Sequence, residues 1–108
     1  MDNCLFCKII AGQIPAKKLY EDDDVLAFHD IRPVAKVHFL IIPKKHMASL
    51  AEASAADQAL LGKMLLLAAQ LAKEQGLDDG FKTSINTGIG GGQEVFHLHI
   101  HVYGGGRV

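Results

Sequence analysis

Nine residues near the end of the chain, Val95-Phe-His-Leu-His-Ile-His-Val-Tyr103, restrict its fold more than any other stretch. Apolar and imidazole side chains alternate with period two, the period of a β-strand, whose successive side chains point to opposite faces. Leu98, Ile100 and Val102 then share a face fit for a core, and His97, His99 and His101 share the other. A lone histidine is commonly satisfied inside a packed core, but three in a row each need a hydrogen-bond partner or a charge. The Gly88-Ile-Gly-Gly-Gly-Gln93 segment directly upstream reads as a glycine-rich loop. A metal site or a site for an anionic substrate follows. Same-face neighbours on one strand sit about 6.6–7 Å apart, so three of them converge poorly on one ion. A division of labour fits better: one histidine on a metal, one attacking a substrate, one holding a phosphate or leaving group.

The only cysteines form Cys4-Leu-Phe-Cys7. A C-x-x-C pair in a reducing compartment reads as a metal or redox motif. A redox pair normally follows a strand; this one has none before it, which favours metal. The N-terminus lacks the basic and apolar regions of a secretory signal, so a cytoplasmic location is expected. No apolar run approaches the roughly 20 residues that span a bilayer. With 11 basic and 12 acidic residues, a formal charge of −1, the chain carries no basic excess for nucleic acid.

Along the chain, Leu5–Ala11 reads as a short helix stopped by Gly12. Lys18–Glu21 and Val25–His29 read as a hairpin turning at Asp22-Asp-Asp24, a solvated turn rather than a metal site. Val37–Ile42, closed by Pro43, is apolar enough for a central strand buried on both faces. One long helix begins at Ser54, where Ser54 and Asp57 approximate a capping box, and stops at Gly76. Its apolar positions, Leu60, Leu61, Met64, Leu65, Leu66, Leu67, Ala68, Leu71 and Ala72, form a stripe wider than one sheet covers. A second subunit on its other side is the expected reason. Phe81–Asn86 is a further strand, and the tail Gly104–Val108 is expected to be mobile. Short strand-to-strand links imply a mostly antiparallel sheet and an α+β fold, with residues 1–108 forming one domain.

Four separated segments carry a family resemblance: Val95–Tyr103, Gly91-Gly-Gln-Glu-Val-Phe-His97, His38-Phe-Leu-Ile-Ile-Pro-Lys-Lys-His46 and Phe28-His-Asp-Ile31. Together they resemble the histidine-triad (HIT) superfamily, and within it the Hint branch of nucleoside phosphoramidases. The resemblance implies a five-stranded antiparallel sheet in each subunit of a homodimer, joined as a continuous ten-stranded sheet. It implies a substrate in which AMP or GMP is joined to an amine, or an acyl or aminoacyl adenylate. Of the catalytic set His97, His99 and His101, the middle residue would be the nucleophile, forming a nucleotidyl-histidine. His101 would hydrogen-bond the phosphate or leaving group. Backbone N–H groups of Gly92, Gln93 and Glu94, with Asn86, would hold the phosphate, and Asp30 the ribose hydroxyls. Leu5, Phe6, Ile9, Ile14, Phe28, His29 and Ile31 would line the base and ribose pocket, although each apolar member also reads as core. Cys4, Cys7, His46 and His97 would hold a structural zinc ion. His38 is left as a residue supporting the histidine strand, or simply as a strand histidine satisfied by a backbone group, and Lys44 and Lys45 as a solvated turn. Glu94 stands where the branch often has serine, and the chain ends at Val108 where relatives often continue; both bear on leaving-group choice. A dinucleoside polyphosphate hydrolase of the same superfamily and a nucleotide-binding interaction module are the competing readings.

Overall fold

The structure, a computed structural model, describes residues 3–107. Its frame is a five-stranded sheet built from β1 (Lys18–Glu21), β2 (Val25–His29), β3 (Val37–Pro43), β4 (Lys82–Ser84) and β5 (Ile100–Gly104). The spatial order is β1-β2-β3-β5-β4, and every pairing is antiparallel. Helix α1 (Leu5–Ile10) precedes the sheet, and helix α2 (Gln58–Glu74) connects β3 to β4. No helix among the described residues is long and apolar enough to cross a membrane.

Strand alternation divides the core in two. Val25, Ala27, Phe39, Ile41, Ile100 and Val102 face α2 and pack on Met64, Leu67, Ala68, Leu71 and Ala72. Leu26, Phe28, Leu40 and Ile42 face the other way and pack on Phe6 and Ile9 of α1. The central strand β3 is therefore buried on both faces. Because α1 has only six residues, it covers one end of its face. The remainder is open to polar side chains, and there the histidines gather.

Helix α2 begins and ends as its sequence dictates. Ser54 and Asp57 form a capping box, although the first turn is 3₁₀ and the α-helix proper starts at Gln58. At the other end Gly76 has φ +86°, its N–H donates to Lys73 O, and the Leu77 N–H donates to Ala72 O. Glycine adopts this left-handed stop without strain. The apolar stripe divides as its width implies. Leu65 and Leu66 are exposed, as is Phe81 just before β4.

The acidic triplet is a turn clasped to α2. Asp22 accepts the Asp24 and Val25 N–H groups and pairs with Lys63 at 2.7 Å. The tail departs from expectation: Gly104 belongs to β5, and Gly106 O accepts the Lys36 N–H. Val108 lies outside the described residues.

The histidine segment departs more. Regular pairing starts at Ile100, not Val95, because the β3–β5 ladder ends at Ile41↔Ile100. Beyond that point the Pro43 carbonyl accepts the His97 ring, and the Leu98 N–H donates to Met47 O. His97 is thus placed by a bend and not by the strand.

Candidate active site and metal centre

Two polar clusters flank His99. In the first, Cys4 and Cys7 Sγ and His46 and His97 Nδ1 all lie within 4.8 Å of one another. Cys4 caps α1, accepting the Cys7 N–H at 3.2 Å, so both sulfurs face one side of the helix start. Tetrahedral zinc with ordinary bond lengths places its ligand atoms about 3.3–3.8 Å apart. The observed edges are 3.3 Å (Cys4–His97), 3.3 Å (Cys7–His46), 3.5 Å (Cys7–His97) and 3.1 Å (His46–His97). His97 is fully buried, and its Nε2–H donates to Pro43 O at 2.8 Å. A neutral ring then keeps its lone pair on Nδ1, aimed into the cluster. Burial first, and the adjacent Cys4 thiol next, push the Cys7 thiol up to about 11. A cation between the sulfurs reverses that preference, since bound thiols ionise. The cluster can hold a metal ion.

His97 also touches the next histidine. Its carbonyl accepts from His99 Nδ1 at 2.7 Å, so the His99 proton sits on Nδ1 and the lone pair on Nε2. The Phe6 ring packs edge-on against both rings, with centroids 5.9 Å from His97 and 5.1 Å from His99.

The second cluster is Asp30, His38 and His101. On the α1 face of the sheet, His101 lies opposite Leu40, next to His38. His38 Nε2 is 3.0 Å from His101 Nδ1 and 3.3 Å from Asp30 Oδ2. Asp30 is fixed from two sides: its N–H donates to His38 O, and its Oδ1 accepts the Arg32 N–H at 2.8 Å. Burial holds His38 and His101 below the usual imidazole range, and the Asp30 charge partly opposes this. For His101 the neighbouring His99 and His38 add to the effect of burial.

The glycine loop encloses the remaining side. Gly88 and Gly92 have positive φ, and the N–H groups of Gly91, Gly92 and Gln93 donate to Gly88 or Ile89 carbonyls. The buried Gln93 side chain staples the loop: Oε1 accepts the Gly88 N–H, and Nε2 donates to Ala48 O and Val95 O.

This constellation recurs in known proteins. The HIT domain family matches residues 11–108. HitA of Neisseria gonorrhoeae is 61% identical over 104 residues, covering 96% of this chain and 97% of that protein. The solved HIT family hydrolase of Legionella pneumophila superposes with a TM-score of 0.93 at 50% identity, over 95% of this chain and 93% of its own. A histidine triad protein of Clostridium difficile gives 0.92 at 46% identity, over 100% of this chain and 94% of its own. This chain belongs to the HIT family. The matched region begins after Cys4 and Cys7, so the cysteine half of the metal cluster lies outside the HIT match.

Within this HIT fold the residues singled out from sequence divide. Phe6, Ile9 and Phe28 are buried core, and Ile14 packs beside them. Leu5 is 42% exposed, and Ile31 is 90% exposed on the β2–β3 connection. His29 pairs with Phe39, a residue of the α2 face, so the register separates it from His99 and His101; neighbours on a strand cannot both face one site. The backbone cradle is smaller than its sequence suggested. Gly92 and Gln93 have their N–H groups engaged within the loop, and the Glu94 N–H alone of the three has no partner among the described residues. Asn86 reaches the loop through Gly92 O at 3.4 Å. Glu94 is exposed and borders a cavity of about 530 Å³ with Asn3, Cys4, Leu5, His46, Val95 and Phe96. Lys44 and Lys45 are ion-paired to Glu21 and Asp57. Sequence reading missed the backbone partners Val34, Pro43 and Met47, which carry no side-chain signal. His38 meets both of its expected roles, held by the Val34 N–H and set beside His101, but its link to Asp30 shows only once the strand pairing is known.

Proposed function

We propose that this HIT-family hydrolase cleaves purine nucleoside 5′-phosphoramidates, or acyl and aminoacyl adenylates, through a covalent nucleotidyl intermediate on His99. The observation that carries the reading is the 2.7 Å bond from His99 Nδ1 to the His97 carbonyl, which reserves the Nε2 lone pair for attack. Neutral imidazole is nucleophilic near pH 7 and leaves phosphorus readily. Nε2 attacks the α-phosphorus as the P–N bond breaks, and the amine takes up a solvent proton as it leaves, its nitrogen held by a hydrogen bond from His101 Nε2–H. Water then attacks the same phosphorus, giving up its proton to solvent, and the nucleoside monophosphate departs as His99 is restored. Asp30 would receive the ribose hydroxyls, and the Glu94 N–H one phosphate oxygen.

Cys4, Cys7, His46 and His97 would hold zinc. Four protein ligands leave it no open position, so it would supply structure and not reactivity. By gripping His97 it would fix the carbonyl that orients His99. The exposed Leu65, Leu66 and Phe81, together with β4 at the sheet edge, support a homodimer with a continuous ten-stranded sheet. A Leu66→Glu chain that still sediments as a dimer would remove that part of the reading. A cytoplasmic location and nucleotide, not nucleic-acid, partners belong to the same reading.

The test is turnover of an AMP amide by the intact protein. His99→Ala is expected to lose about 10³-fold or more of the rate, as nucleophile removal does elsewhere. Intact-mass analysis of the wild type with a slow substrate is expected to show one added nucleotidyl group. Near-full activity of His99→Ala would end the proposal. Faster cleavage of a diadenosine polyphosphate than of the amide would move the substrate assignment to that class.

A further inference from the structure

The ring of His38 is almost fully buried, and its tautomer is set by a group that has no choice. The Val34 backbone N–H can only donate, and it points at His38 Nδ1 from 3.1 Å. His38 Nδ1 is therefore a lone pair, and a neutral ring carries its proton on Nε2. That single N–H faces two acceptors, His101 Nδ1 at 3.0 Å and Asp30 Oδ2 at 3.3 Å. Asp30 Oδ1 already accepts from Arg32, so Oδ2 is the carboxylate oxygen left to compete. An ionised carboxylate is the stronger acceptor, and the imidazole is the nearer one.

We propose that His38 is a positioning residue that shares one N–H between Asp30 and His101, and that a ribose cis-diol seated on Asp30 releases this N–H to His101. The inference rests on the reading of Asp30 as the ribose-binding carboxylate. Diol hydroxyls that donate to Asp30 Oδ2 take up the acceptor that faces His38, so the carboxylate ceases to compete. The His38 proton then turns wholly to His101 Nδ1. That ring must carry its own proton on Nε2, the tautomer that donates to a phosphate oxygen or a departing amine. Without the diol, Asp30 draws the His38 proton away, and His101 divides between its two tautomers. Recognition of the sugar is thereby coupled to readiness of the His101 donor, with no movement of the backbone.

The coupling is read by comparing the AMP amide with its 2′,3′-dideoxy counterpart. In the wild type the dideoxy substrate is expected to lose about five- to tenfold in kcat, the order of one hydrogen bond, in addition to any rise in KM. In His38→Gln the two substrates are expected to share one kcat, because nothing is left to redirect. A second measurement needs no variant. Nitrogen-15 NMR of the His101 ring in wild-type protein is expected to show a pure Nε2–H tautomer with AMP bound and a mixture with 2′,3′-dideoxy-AMP bound. Equal kcat for both amides in the wild type, or the same His101 tautomer with both nucleotides, overturns the coupling. Failure to hydrolyse either amide overturns the phosphoramidase reading itself, a result the equal-kcat outcome cannot be mistaken for.

Discussion

The two clusters beside His99 each set two imidazoles among ligand-type partners, two thiols in one and a carboxylate in the other, yet their chemistry is opposite. In each, ligand-type atoms lie within 4.8 Å of one another. The difference is decided by what holds the far nitrogen of one ring. His97 donates its outer Nε2–H to a carbonyl, so a lone pair faces inward. His38 accepts a backbone N–H on its outer Nδ1, so a proton faces inward. A ring fixed by an acceptor can bind a cation, and a ring fixed by a donor passes on a hydrogen bond. Counting ligand-type side chains makes two candidate metal sites; following the protons leaves one cluster that can hold a cation and one that passes on a hydrogen bond.

Metal analysis tests that contrast where the effect is largest. The wild type is expected to carry one ion per chain. Cys7→Ser is expected to lose it and to unfold about 10 °C or more lower, since metal bound only by the folded state stabilises it by mass action. Cobalt substitution sharpens the result. One tetrahedral, thiolate-ligated spectrum is expected at one equivalent, with no second site filling as cobalt rises and no change in stoichiometry for His38→Ala. A second equivalent that His38→Ala abolishes would mean that Val34 does not fix the His38 proton, and the distinction between the clusters would collapse.

The sequence made one of these clusters easier to read than the other. Cys4 and Cys7 share a helix start, and the C-x-x-C spacing alone brings both sulfurs to one side. The alternation of β2, β3 and β5 was legible for the same reason: strand periodicity is local, and the two cores follow it residue by residue. Where long-range backbone contacts intervene, the pattern misleads. Val95-Phe-His97 alternates like a strand, but β3 ends at Pro43, and a ring nitrogen takes the carbonyl that a strand would have used. Gln93 looked like part of a phosphate cradle; its N–H and both ends of its side chain are engaged in holding the loop. Adjacency groups His29 with Phe28, but the β2–β3 register sends it to the other face. The wide stripe on α2 exceeds what one chain buries, and Leu65 and Leu66 lie outside the fold.

The smallest expected effect separates the clusters by pH. Burial depresses His38 and His101, and Asp30 partly opposes that from Oδ2. Around His38 stand Asp30, His101 and the Tyr103 ring; around His101 stand His99, His38 and Asp30. Above the ordinary histidine pKa of about 6.5 both rings are neutral, folded or unfolded, and cost nothing. As pH falls below it, the unfolded chain takes up protons that the folded chain refuses. The unfolded state then binds more protons, so stability falls with pH until the folded rings also titrate. Acid also releases a metal held by Cys4, Cys7, His46 and His97, so the slope of the wild type alone does not isolate the pair. Differences between variants do, because the metal contribution is common to all of them. Urea unfolding at pH 7.5 and 5.5 is expected to show a smaller acid loss for His38→Gln than for the wild type, whatever its stability at pH 7.5. Asp30→Asn is expected to show a larger one, because the charge that helps these rings accept protons is gone. Parallel acid losses in all three proteins would place the sensitivity in the metal cluster alone and leave Asp30 no electrostatic hold on the pair.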